Sequence, residues 1–577
     1  MSPKGSSETQ ERQPLLANQT EDYSNPTRTV DEETGQNDDA TPPHTEALRL
    51  GAIQKLPWYR RPTVYWLLPF IFMIAIAIGV NGAPQEQLII KIICKEYLSS
   101  GGPSVSGPGS TTPVALGLAS FKNHTVEDPC YSPEIQAISA LVLSRYRSLK
   151  FITAIFTVGF YTTLSDTKGR KSLIYLTLIP ALLTQILVMY MASPSSKLGI
   201  WILYVDALMM GSMGGGLLLE PSMNAYVADS TPRQGRSLSI GLVMVSLSIG
   251  MTVGPILGSI LMKLTGGDIL SAVICASVMI GLATLYALIL PESHLKEFRT
   301  PKTVKSKDDK QRSESPMIRF KNGVAAALEP LLVFLPGGIE TSPDVNELPS
   351  RFVLPLLLTS YGSLIFTVNG IATTLIPYTN LVYGWTAFED QIYVAIFGAT
   401  SFIVYIAIFP ALQKVYKVVV NKRSTAAAKA STSHGNDSSE GREEAKRHAG
   451  AQIDIFFLIF GGVFYIASYV IVPIFESGGV MYISAALRAL GSVAIASFTS
   501  LLTSFIPGHQ VGRVLGGVCI LDTILMTLSS LVYGWVFAKT SITAPAAIYW
   551  LSTASSVVSV IAALAVWVIY KRAEKRA

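Results

Sequence analysis

Four ionisable residues stand inside otherwise apolar stretches of this chain: Asp206, Glu220, Arg488 and Asp522. A charge in hydrocarbon is costly, so such a residue faces a cavity, finds a partner or reaches for the interface. A carboxylate so placed can take a proton from one side of a membrane and release it on the other. An arginine there can hold an anionic solute, or pair with Asp522 when the site is empty. Tyr361, Asn369, Thr373 and Tyr378 follow one another at about one or two helical turns and can line one face of a pathway. The bland readings stay open beside these. The polar residues serve equally well as hydrogen bonds between helices, and the four charges as structural or snorkelling groups.

Other chemistries are poorly represented. Only six histidines and four cysteines occur, with no CxxC, paired-histidine or nucleophile-elbow pattern. Neither an enzyme, a metal site nor a bound cofactor is expected. A net charge of +6 without a module of interleaved aromatic and basic residues gives no reason to expect nucleic-acid binding.

The elements that must position these residues are membrane spans. Of 577 residues, 49% are hydrophobic and 15% charged, far from the roughly 25% charged of soluble domains. Twelve apolar stretches are near the ~20 residues that a bilayer helix needs: 64–83, 148–165, 172–192, 200–228, 237–263, 268–290, 352–377, 390–412, 452–474, 480–505, 513–537 and 545–570. The expected fold class is an all-α integral membrane protein of two six-helix bundles, 63–290 and 351–571, joined by a charged linker, 291–350. A polar N-terminal tail, 1–62, and an insert, 413–450, read as disordered, and 572–577 is a basic C-terminal tail.

Lys and Arg gather in alternate short connections, which makes that side cytoplasmic and puts both termini on it. Arg145, Arg147 and Lys150 fall on the opposite side in this scheme, at the end of a long outer or luminal loop, 97–135. That loop holds an N-glycosylation acceptor at Asn123. Cys94 and Cys130 flank it and can form a disulfide on an oxidising side, although spacing alone does not fix the geometry.

Two motifs are specific. "TTLSDTKGRK" between the second and third spans carries Leu164, Asp166, Gly169, Arg170 and Lys171. "GMTVGPILG" in the fifth carries Gly250, Gly254, Pro255 and Gly258; small residues at this spacing let helices approach closely, and the proline permits a kink. A third stretch, "YVADSTPRQGRS", carries Asp229 and Arg236, and a faint echo of it, "IPGHQVGRVLGG", carries Arg513 six spans later. Together these resemble the major facilitator superfamily, over about 64–570. More loosely they resemble both its proton-antiport exporters and the branch of the proton-coupled folate transporter. The resemblance implies two six-helix bundles that rock around a midplane site, with no cofactor and a proton gradient as the energy source. It implies a cytoplasmic gate or latch built from Asp166, Gly169, Arg170, Lys171, Asp229, Arg236 and Arg513. The pathway would draw on Asp206, Glu220, Tyr361, Asn369, Arg488 and Asp522.

The sequence also departs from the family pattern. Thr162 replaces the leading glycine of the first motif and Thr167 its first arginine. Ala207 stands where the fourth span of proton-coupled members has an arginine, with Asp206 beside it. The expected partners are a small-molecule substrate, protons and the bilayer, with the chain a monomer. Efflux by proton antiport is the first expectation, import of a folate-like organic anion the second, and a non-transporting nutrient sensor the third. Glu11, Leu15 and Leu16 resemble an acidic dileucine signal for a sorting adaptor, which points to a vacuolar or endosomal membrane, with the plasma membrane as the alternative. Thr167→Arg restores the family's charge and is expected to tighten the latch, seen as a lower transport rate or a shifted conformational bias. If neither moves, Thr167 takes no part in a latch.

Overall fold

The computed structural model describes residues 51–99, 129–193, 196, 198–294, 352–415, 439–505 and 511–574. Structural statements concern these residues alone. Asn123, Glu11, Leu15 and Leu16 lie outside them, as do most of the expected linker and insert.

The described residues form helices: α1 (Val64–Ser99), α2 (Pro133–Lys168), α3 (Arg170–Ala192), α4 (Trp201–Ser212), α5 (Leu219–Ser230), α6 (Arg233–Leu264) and α7 (Ile269–Ile289), then α8 (Val353–Tyr383), α9 (Ala387–Ile403), α10 (Ser439–Phe475), α11 (Gly478–Gly491), α12 (Val493–Phe505), α13 (Val511–Thr540) and α14 (Ala547–Glu574). In lipid every backbone group must be satisfied internally, and a helix does this within one segment. Ten of the helical stretches are long and apolar enough to cross a membrane. The other two crossings are α2, which is long but charged, and the α4–α5 pair, which is broken. The chain is thus an all-α membrane protein of twelve crossings.

Packing repeats between the halves. α1 packs on α6 and α7 as α8 packs on α13 and α14, and α2 meets α4 as α9 meets α11. Across the halves α13 lies along α2 and α9 along α6, the same pair of crossings exchanged. This is the arrangement of two related six-helix bundles. Each has its own core. Tyr465, Phe498, Tyr533 and Phe537 are fully buried in the second half; Leu67, Phe70, Val80 and Ile93 are buried in the first. Outward, Ile179, Leu183 and Ile186 on α3, Leu282 and Leu285 on α7, and Ile561 and Leu564 on α14 are exposed at helical spacing, as a lipid-facing surface requires.

Several helix limits differ from those expected from hydropathy. α1 runs to Ser99 rather than 83, and α2 begins at Pro133 rather than 148. Arg145, Arg147 and Lys150 therefore stand within a crossing, not in an outer loop. These charges lower the local hydropathy, yet the helix runs through them, and Arg147 finds a partner in Glu86. The fourth crossing is not one helix: Gly214, Gly215 and Gly216 take φ of 90°, 61° and 86°, a region that other residues enter at a cost, and α4 ends there. The tenth is interrupted at the corresponding place by Ser492. Broken helices in matching positions of two halves are a feature of transporter folds.

The bundle has two ends. The linker face is where α1 begins and α14 ends. The loop face is where Cys94 and Cys130 are joined by a disulfide, Cα–Cα 5.5 Å.

The glycines of "GMTVGPILG" close α6 onto α1. A Cβ at Gly254 would lie 2.7 Å from the Ile76 oxygen and 2.9 Å from the Gly79 Cα; one at Gly79 would lie 2.7 Å from the Pro255 Cδ. One at Gly258 would lie 3.0 Å from the Gln391 amide of the other half. Backbone cannot yield as a side chain does, so Gly254→Ala is expected to destabilise by about 1–3 kcal/mol. Thermal unfolding in detergent measures this. Gly281→Ala, with no atom within 4 Å of the added carbon, is the matched control and should leave the melting temperature unchanged or slightly raised.

Candidate functional site

The site begins with an apolar helix that turns polar on one side. In α1 Asn81, Gln85 and Glu86 recur at one-turn spacing. The Asn81 amide donates to Gln85, and Gln185 of α3 donates to the same Gln85 oxygen at 3.3 Å. From α2 the Arg147 guanidinium pairs with the Glu86 carboxylate. Its other nitrogen donates to Thr373 Oγ1 of α8 at 3.2 Å, and Thr373 meets Ser530 of α13 at 3.2 Å. The first half is thus bonded to the second through one arginine.

These residues wall a cavity of about 400 Å3 that also takes in Lys150, Phe151 and Asn369. Both halves contribute to it. Asp206, on α4, is buried behind the wall: Tyr146 donates to one of its oxygens at 2.9 Å and Thr184 to the other at 2.7 Å.

Further toward the loop face a second polar network joins the halves. Gln87 donates to Asn380 at 2.5 Å and to Asp390 at 2.9 Å, and Thr379 donates to the other Asp390 oxygen at 2.8 Å. The neighbouring Gln391 donates to the Val80 oxygen of α1 at 2.5 Å. Asp390 is 1% exposed and both its donors are uncharged. The Thr386–Glu389 capping box that starts α9 sets its register, and so aims Asp390 and Gln391 at α1.

Of the residues expected on the pathway, Asn369 lines this cavity and Asp206 stands one contact behind it. Three others form a separate group. The Tyr361 hydroxyl donates to Asp522 at 2.9 Å, its ring stacks on Phe498 at 4.0 Å, and Glu220 of the first half lies near enough to act on Asp522 electrostatically. Arg488 and Asp522, one of two pairings open to that arginine, do not meet. Arg488 instead lies over the rings of Phe397 at 4.8 Å and Tyr393 at 5.4 Å, with its Nε buried and without a hydrogen bond. The aromatic faces take the place of a counter-ion.

At the linker face Gly169, with φ 106°, turns the chain sharply between α2 and α3. The Arg170 Nε pairs with Asp229 at 3.0 Å, and its Nη1 donates to Ser165 at 2.6 Å. The N–H groups of Arg170 and Lys171 donate to Glu292 at 2.8 and 3.3 Å, a carboxylate at a helix N-terminus. The Lys171 ammonium donates to the Leu288 oxygen at 2.8 Å. Gly169, Arg170, Lys171 and Asp229 thus come together, and Glu292 and Ser293 join them. The side chains of Asp166, Arg236 and Arg513 lie outside the described residues.

Sequence reasoning passed over Glu86, Arg147, Lys150, Gln87 and Asp390. For the first three a signal exists: 143, 146/147, 150 and 154 recur at helical spacing, as do 78, 81/82, 85/86 and 89. Averaged hydropathy hides it.

Comparison with known proteins agrees with this geometry. The family described as Major Facilitator Superfamily matches residues 134–431, just over half of the chain. The MFS-type transporter avaJ of Aspergillus versicolor is 20% identical over 496 residues, covering 85% of this chain and 86% of its own length. The class C tetracycline resistance protein of Escherichia coli is 26% identical over 194 residues, 33% of this chain and 43% of that one. Among solved structures, the human organic anion transporter MFSD10 is similar in fold, with a TM-score of 0.51 at 15% identity, covering 89% of this chain and all of that one.

The Glu86–Arg147 pair is largely withdrawn from solvent, with side chains 20% and 19% exposed. Removing one member strands the other, so Arg147→Gln is expected to destabilise by about 3–5 kcal/mol. Adding Glu86→Gln should recover a large part of that loss. A double-mutant cycle on thermal or denaturant unfolding measures the coupling; additive losses would show that the pair is not a unit.

Proposed function

The chain belongs to the major facilitator superfamily, and from that premise we propose that it is a secondary active transporter that exports a small organic solute in exchange for protons by alternating access. One observation carries the reading. A cavity is walled by both halves, and on its loop-face side a network joins them that exists only while those halves touch there. Separating Gln87 from Asn380 and Asp390 opens the loop face, and closing the linker face completes the exchange.

The distribution of Lys and Arg supports a cytoplasmic linker face with both termini on that side. The Arg170–Asp229–Glu292 cluster then serves as the cytoplasmic latch of the first half. Two sets of carboxylates are placed to carry protons: Asp206, behind the cavity, and Asp522 with Glu220, which stand on opposite halves near Tyr361. Export is supported by the resemblance to a tetracycline resistance protein. A vacuolar, endosomal or plasma membrane is the proposed location.

Proteoliposomes of known orientation carrying a pH gradient test this. Solute movement opposite to the proton flux is expected, and Asp522→Asn should reduce it at least about tenfold. Absence of gradient-driven flux across a broad solute panel, with unchanged behaviour of Asp522→Asn, would overturn the reading. Movement in the same direction as the protons would overturn export alone.

A further inference from the structure

We infer that the central cavity takes an organic anion whose acidic group is held by the Lys150 ammonium. This rests on the transporter reading only in taking the cavity as the solute site.

Every charge of the cavity wall but one is matched. Glu86 and Arg147 neutralise each other, and Arg147 gives a further donor to Thr373. Asp206 has a hydroxyl donor on each oxygen, from Tyr146 and Thr184. Lys150 lines the cavity, and its ammonium makes no hydrogen bond or ion pair with any described residue. Its ammonium lies 5.3 Å from the Phe151 ring centroid, and Arg147 and Asp206 act on it only at longer range. An ammonium carries three donors, and one half-buried in the wall without a hydrogen-bonded counter-charge is costly. A ligand that brings an anionic group removes that cost. A cationic ligand would be repelled by Lys150 and would find both nearby carboxylates already engaged.

The rest of the wall selects for an organic body. Ile89, Leu143, Phe151 and Met210 are apolar, while Asn369 and Ser530 offer hydrogen bonds from the other half. A volume of about 400 Å3 is far more than an inorganic ion fills and lies in the range of small-molecule sites. The class is therefore a carboxylate-type organic acid with an apolar or aromatic body, its acid at α2 and its tail toward α8 and α13.

The test uses the full chain in nanodiscs of zwitterionic lipid. Thermal unfolding is followed against increasing salicylate and salicylamide, octanoate and octanamide, and inorganic phosphate. An acid is expected to raise the melting temperature where its amide does not, with phosphate inert. Lys150→Gln should weaken that acid at least about tenfold, and Lys150→Arg should keep most of the effect. The melting temperature of each variant without ligand reports whether it folds, and Lys150→Arg keeps the test valid should Lys150→Gln not fold. Amides as effective as acids, no stabilisation by either acid, phosphate as effective as the organic acids, or an undiminished effect in Lys150→Gln would each overturn the inference. Lys150-dependent binding without flux in proteoliposomes would leave the site standing and overturn the transporter reading instead.

Discussion

Arg147 can stand in the interior of the bundle because Glu86 faces it from the neighbouring helix. Neither charge is tolerable alone at that depth. Their pairing fixes α2 against α1, and the free edge of the guanidinium then reaches Thr373 in the other half. The rest of the polar interior is arranged around that bond. Gln85 and Asn81 continue it along α1, Ser530 continues it into α13, and Lys150, one turn further along α2, is carried to the cavity wall.

α1 is held from two sides. Gly250, Gly254 and Pro255 bring α6 against it within backbone contact, and Gln391 of α9 reaches its Val80 carbonyl just where Gly258 leaves room. The glycine motif thus does more than pack two helices of one bundle. It makes the space through which the other bundle grips the same helix. The cluster at the opposite face is built from different materials, a part-buried ion pair and a helix N-terminus, and lies within the first half among the described residues. The grip of α9 on α1 is buried and uncharged except for Asp390; the cluster at the linker face is charged and part-buried.

The sequence made the membrane class, the number of crossings and the family legible because each rests on long, repeated patterns. The turn between α2 and α3 was legible as a motif, and Arg170 and Asp229 do meet. The cavity was less so. A window that averages hydropathy treats Arg147 and Lys150 as the end of a loop, since it has no way of knowing that Glu86 lies opposite. Gln87 and Asp390 escaped for the same reason: they are more than three hundred residues apart and only folding brings them together. Arg488 and Asp522 were legible as unusual residues but not as partners, because each finds an aromatic or phenolic neighbour rather than the other. Pattern reveals which residues are costly in lipid; it does not reveal what relieves them.

The disulfide between Cys94 and Cys130 has a consequence beyond holding two residues together. It joins the last turns of α1 to the residues that lead into α2, its two cysteines 36 positions apart in sequence. The tension or slack of that intervening chain is then taken up at the sulfur bridge and not passed to the helices below. The separation of the two helices is set by the bridge and not by the segment. Its length and composition can drift, and a tag or an epitope can be inserted into it, without altering the spacing of α1 and α2 on which the cavity depends.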